Sequence, residues 1–108
     1  MEKSPMRPLP AGEVTLLFTD IEGSTRRWEA RPAAMAPALR THDLVLRAAI
    51  EGHGGAVFKT VGDAFCAAFA DAGEALAAAL AAQRGLAREA WGELGPLRVR
   101  MALHTGAA

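Results

Sequence analysis

Aspartate occurs twice in this chain where a short apolar, β-branched run gives way to a turn. The first is Asp20, in Phe18-Thr19-Asp20-Ile21-Glu22-Gly23-Ser24-Thr25. The second is Asp63, in Phe58-Lys59-Thr60-Val61-Gly62-Asp63, about forty residues further on. Residues 14–19 are long enough for a buried strand and too short for a helix. Gly23-Ser24-Thr25 breaks that run and can cap a helix running from Arg26.

The segments around the two aspartates arrange themselves into a definite order. Pro32 and Pro37 are expected to split the helix, because proline is tolerated in a first turn and not in an interior. Leu39, His42, Leu46, Ala49 and Ile50 recur at helical spacing, and Gly52, Gly54 and Gly55 end that helix. Strands at 56–60 and 64–70 follow, joined by a tight turn at Val61-Gly62-Asp63. Phe65, Ala67 and Phe69 alternate as one covered sheet face requires. Asp71-Ala72-Gly73-Glu74 has capping-box spacing and opens an alanine-rich helix carrying Leu76, Leu80 and Leu86. Gly92, Gly95 and Pro96 mark a loop before a last strand at 97–104.

The order β-α-β-β-α-β points to an α+β chain with a ferredoxin-like core. In that fold the sheet order is four, one, three, two, so Asp20 at the end of strand one lies beside Asp63 at the start of strand three. Adjacent strands are roughly 4.8 Å apart, close enough for two carboxylates to share metal ions about 3.5–4 Å from each other.

Bulk properties narrow the class. At 108 residues the chain is one domain at most. Residues 1–12, with three prolines, read as a flexible leader without the apolar segment of a signal peptide, leaving 13–108 as the folded part. Twelve basic and twelve acidic side chains cancel, which gives no electrostatic footprint for nucleic acid. Cys66 is the sole cysteine, which rules out an internal disulfide and fits a reducing, cytoplasmic setting. No stretch has the length and apolarity of a membrane span.

Two carboxylates, a glycine-and-hydroxyl turn opening a helix, and a lysine four residues before the second aspartate are parts suited to a metal-bound nucleoside triphosphate. Together the two motifs resemble the catalytic domain of the class III adenylate and guanylate cyclases, from about Val14 onward. The resemblance implies Asp20 and Asp63 as metal ligands, with the Ile21 carbonyl as a third, for two divalent cations, Mg²⁺ or Mn²⁺. It implies that Gly23, Ser24 and Thr25 face the triphosphate, and that Lys59 reads the purine of ATP. An ammonium donates to adenine N1, whereas guanine presents donors there and suits a carboxylate. The implied reaction is attack of the ribose 3′-hydroxyl on the α-phosphorus, giving cyclic AMP and pyrophosphate.

The resemblance further implies a head-to-tail homodimer, metals on one subunit and base-reading groups on the other. The family's transition-state asparagine and arginine, and its second base-reading residue, belong to a segment after Ala108, so the chain by itself is expected to be inactive. A non-catalytic nucleotide-binding or dimerisation module is an alternative. Another palm-like two-metal enzyme is a second, although the diguanylate cyclase hairpin carries Gly-Gly-acidic in place of Lys-Thr-Val-Gly-Asp. Of the remaining polar and aromatic residues, His42 is expected to be partly buried and hydrogen-bonded, His104 structural, and Cys66 a core filler. Trp28 and Trp91 are expected as packing anchors, Arg26 and Arg27 as surface charge, and Arg98 and Arg100, which alternate on one strand face within possible reach of phosphates, on a solvated or interface face.

Overall fold

A computed structural model describes residues 12–107. Strand β1 (Glu13–Ile21) leads through a short helix α1 (Ser24–Ala30) into a long helix α2 (Pro32–Gly52). A hairpin of β2 (Ala56–Val61) and β3 (Ala64–Phe69) follows, then α3 (Ala72–Arg88), a 3₁₀ turn at Gly92–Leu94, and β4 (Val99–Ala107). The sheet order is β2-β3-β1-β4 with every neighbouring pair antiparallel, which is the expected α+β, ferredoxin-like arrangement. The expected leader at 1–12 lies outside the described residues, Gly12 apart.

Alternation along the central strand sets the two faces. Thr15, Leu17, Thr19 and Ile21 are buried on the helix side, with Phe65, Ala67 and Phe69 of β3. Leu16, Phe18 and Asp20 point to the opposite face, where Phe18 keeps 40% of its surface exposed. Among the described residues no helix covers that side, because α2 and α3 both pack on the other one.

Pro32 separates the two helices, standing at the first position of α2, where its missing N–H is not needed. Pro37 does not break the helix as expected. It lies on the exposed side of α2, where water can serve the carbonyl left unpaired, while Met35, Ala38, His42, Leu46, Ala49 and Ile50 are buried on the other side.

The helix α3 turns a different stripe inward from the one its leucines mark. Ala75, Ala78, Ala79, Ala82 and Leu86 are buried, whereas Leu76 and Leu80 are 52% and 47% exposed. A face of alanines lets the helix axis come close to the sheet and to α2. The approach is tight at Gly85, where a Cβ would stand 2.8 Å from Val45 Cγ1. The expected cap is present, with Asp71 Oδ2 accepting from the Glu74 N–H at 2.9 Å.

His42 is more enclosed than expected. Its ring is fully buried, edge-on to Phe65, and Nδ1 meets Asp43 Oδ1 at 2.8 Å. Trp28 and Trp91 flank the core as anchors, the Trp91 indole donating to the Leu86 carbonyl at 3.0 Å. Cys66 is not in the core. It alternates with Phe65 and Ala67, so it faces the uncovered side and is half-buried there.

Candidate active site

Two ends of the sheet elements converge at the edge of β1. The strand runs two residues further than its β-branched core, so Asp20 and Ile21 are still paired, with Arg100 and Val99 of β4. The turn after it passes through Gly23 at φ 68°, a left-handed conformation that glycine adopts without a Cβ penalty. Helix α1 then begins at Ser24, two residues earlier than expected, with Gly23 as its N-cap and no side-chain cap bond. Ser24 and Thr25 therefore sit in the first turn, where backbone N–H groups have no intrahelical acceptor.

From the other side, the two-residue turn Gly62-Asp63 of the β2–β3 hairpin brings its carboxylate across to β1. Asp63 Oδ1 accepts from the Ile21 N–H at 3.3 Å. Asp20, Ile21, Gly23, Ser24, Thr25, Arg26, Glu29, Asp63 and Arg100 line one open, largely polar cavity of about 430 Å³. Every residue expected to hold metal or triphosphate is on that wall.

Lys59 is the exception. It belongs to β2, which β3 separates from β1, and it does not line the cavity. Its orientation depends on a β-bulge. Val57 pairs with Ala67 on the helix side; strict alternation would put Lys59 on that side too, but the register shifts at Phe58 and Lys59 pairs with Cys66. The lysine is thereby aimed, exposed, onto the same open face as Asp20.

Two of the arginines expected as surface or interface charge, Arg27 and Arg100, have definite partners. Arg27 donates to the Leu94 and Pro96 carbonyls at 2.9 and 3.1 Å, tying α1 to the loop before β4. Arg100 grips Asp20 with two bonds, Nε to Oδ1 at 3.0 Å and Nη2 to Oδ2 at 2.8 Å. Those bonds first, and the Asp20 charge second, hold the guanidinium above its ordinary pKa. The β1–β4 register is the signal that would have found this pair, since it sets residue 20 opposite residue 100. His104, expected as structural, is exposed on the open face of β4.

The donor set fits a hard divalent cation. Asp20 and Asp63 offer carboxylate oxygens, Ile21 lines the same wall, and Arg100 shows that Asp20 already attracts a cation. Among the described residues no group of three or more His, Cys, Asp or Glu side chains could hold a metal. An ion held here therefore needs further oxygens from water or from a bound phosphate.

A split βαβ core carrying two rim carboxylates beside a helix-opening turn defines a nucleotide-cyclase-type domain. Residues 6–107 match the adenylate and guanylate cyclase catalytic domain, and the chain belongs to that class III family. An uncharacterized protein of Mycobacterium tuberculosis is 43% identical over 99 residues, covering 90% of this chain and 32% of that protein. The adenylate cyclase of Lachancea kluyveri is 42% identical over 84 residues, 78% of this chain and 5% of that enzyme. Among solved structures, an adenylate cyclase of Trypanosoma brucei in its monomeric state superposes with a TM-score of 0.81 at 31% identity, over 88% of this chain and 57% of that one. The chain thus spans about a third of the mycobacterial relative and little more than half of the trypanosomal domain.

Proposed function

We propose that this chain is the metal- and triphosphate-binding part of an adenylate cyclase, whose whole protein converts ATP to cyclic AMP and pyrophosphate. The observation that carries the reading is the junction of the two motifs. Asp63 reaches the Ile21 amide, and both carboxylates and the Gly23–Thr25 turn line one cavity.

In this reading Asp20, Asp63 and the Ile21 carbonyl hold two divalent cations, Mg²⁺ or Mn²⁺. When bound, these would lower the pKa of the ribose 3′-hydroxyl and neutralise phosphate charge. The chain's own groups orient the substrate. The unpaired amides of the first turn of α1 receive phosphate oxygens. The 3′-oxygen forms its bond to the α-phosphorus as the bond to the pyrophosphate oxygen breaks, and the hydroxyl proton leaves to a carboxylate or to water.

Lys59 reads the adenine of a nucleotide whose phosphates lie on a second copy. Its distance from the cavity within one chain and its placement on the open face support this division. So does the apolar surface on that face, where Phe18 and Val61 are 40% and 58% exposed. Two chains related head to tail would cover those faces mutually.

The test is an assay of the whole protein with Mn²⁺ and either ATP or GTP, following cyclic nucleotide by chromatography. Cyclic AMP formation that disappears in both Asp20→Asn and Asp63→Asn is the expected result. A non-catalytic module would bind nucleotide without turnover in the same assay.

A further inference from the structure

Two buried threonines lie on the helix side of β1, Thr15 and Thr19, at 3% and 4% exposed. Each directs its hydroxyl across the sheet, one towards either neighbouring strand. Thr15 Oγ1 meets Thr105 Oγ1 of β4 at 2.8 Å. Thr19 Oγ1 accepts from the backbone N–H of Phe65 in β3 at 3.3 Å. Thr19 and Phe65 are also the last pair of the β1–β3 ladder. Carried on by two residues, the same register sets Ile21 opposite Asp63. There a side-chain oxygen again makes the contact, Asp63 Oδ1 accepting from the Ile21 N–H. Asp20 lies between these two crossings.

We propose that Thr19 is a positioning residue of the metal site: its buried hydroxyl pins the last β1–β3 pair and so sets the separation at which Asp20 and Asp63 present their carboxylates. The inference rests on the two-carboxylate metal reading given above and deepens it, by naming what holds the two ligands in register.

Three features carry it. The end of a structural element opens most readily, because nothing further along closes over it. A side-chain bond at the last pair counters that opening, and burial of the hydroxyl keeps water from competing for it. Phe65 is itself fixed in the core, 3% exposed and edge-on to the His42 ring with centroids 5.8 Å apart. Thr19 thus ties β1, one residue before Asp20, to a point the core already holds, two residues after Asp63. The third feature is tolerance. A constellation of ligands has to be held within about 0.5 Å of its working geometry, so strand ends free to spread by more than that lose shared coordination.

Side-chain shape and hydroxyl chemistry can be separated at this position. Valine keeps the branched outline of threonine and removes the acceptor, whereas serine keeps the acceptor and removes the methyl group. Thr15 supplies a matched control, since it is the same residue on the same face of the same strand, with its hydroxyl turned to β4.

Mn²⁺ binding to the full chain, followed by loss of the free-ion EPR signal, tests the proposal. Thr19→Val is expected to bind Mn²⁺ about three- to tenfold more weakly, a smaller loss than for a group bonded directly to a ligand, because Thr19 acts through the strand. Thr19→Ser should restore most of the affinity. Thr15→Val should lower the melting temperature as Thr19→Val does and leave Mn²⁺ affinity at the wild-type value. A measurement on the unsubstituted chain stands independently of how the variants fold. By NMR hydrogen exchange, the Phe65 amide should be protected as well as that of Ala67, in the middle of β3. Mn²⁺ affinity unchanged in folded Thr19→Val, an equal loss in Thr15→Val, or a Phe65 amide that exchanges much faster than that of Ala67 overturns the positioning role. An unsubstituted chain that binds neither Mn²⁺ nor its tripolyphosphate complex, read by water-proton relaxation, overturns the metal reading itself.

Discussion

Asp63, in the hairpin turn between β2 and β3, accepts a hydrogen bond from the backbone N–H of Ile21, 42 residues earlier in the chain. That contact fastens the second motif to the first. It also predicts a separation of effects at one position. Asp63→Asn keeps an oxygen acceptor for Ile21, so thermal stability should stay within a degree or two of wild type. The lost carboxylate should weaken Mn²⁺ binding at least about tenfold. Asp63→Ala should do both, lowering the melting temperature as well. Calorimetry and an EPR titration on the same samples would check it, and equal melting temperatures for the two variants would remove the structural role.

Gly23 at φ 68° has open space where a Cβ would go, with nothing within 4 Å. The penalty for a side chain there is therefore conformational rather than steric. Gly23→Ala should destabilise by about 1–2 kcal/mol, and Gly23→Asn by less, because asparagine tolerates the left-handed region. Urea denaturation of the three proteins gives the comparison. Equal losses for alanine and asparagine would show that the turn changes shape.

The inverted stripe of α3 makes a sharp contrast between leucines. Leu76→Gln and Leu80→Gln remove exposed side chains and should change stability by no more than about 0.5 kcal/mol in the isolated chain. Leu46→Ala, at a fully buried position of α2, should cost about 2–5 kcal/mol through the cavity it leaves. Denaturant midpoints would tell the two groups apart, and a large loss at Leu76 would place that leucine in the core after all.

Base choice in the whole protein should follow Lys59. An ammonium pairs with an acceptor on adenine and confronts a donor edge on guanine, and a mispaired buried polar group costs much of the binding. ATP is expected to be turned over in preference to GTP, and Lys59→Glu should reduce ATP turnover more than GTP turnover. Parallel kinetics with both nucleotides decide the matter. Faster GTP turnover by the wild type would reassign the enzyme to the guanylate type with the domain unchanged.

Much of this protein is legible locally. The strand-to-turn aspartates, the Asp71 cap, the glycines closing α2 and the alternation of Phe65, Ala67 and Phe69 all follow from periods and turn chemistry within a few residues, and the β-α-β-β-α-β order follows from them. Local pattern also distinguishes two faces on each element, but not which of them is covered. On α3 the leucines at 76 and 80 and the alanines at 75, 78, 79 and 82 are both helical stripes, and close approach to α2 at Gly85 selected the alanines. On the open side, Cys66 and Phe18 are uncovered because both long helices lie on the other face. The aim of Lys59 turns on one inserted residue in the β2–β3 register, and the hold of Arg100 on Asp20 on the β1–β4 register, which sets these two residues opposite each other although they are 80 positions apart in the chain. Register is set by tertiary packing and strand pairing, not by the propensity of any one segment; a slip of one residue reverses every side chain. The amino-acid sequence determined which groups this protein has for its chemistry, and the register of the assembled sheet decided which of them meet.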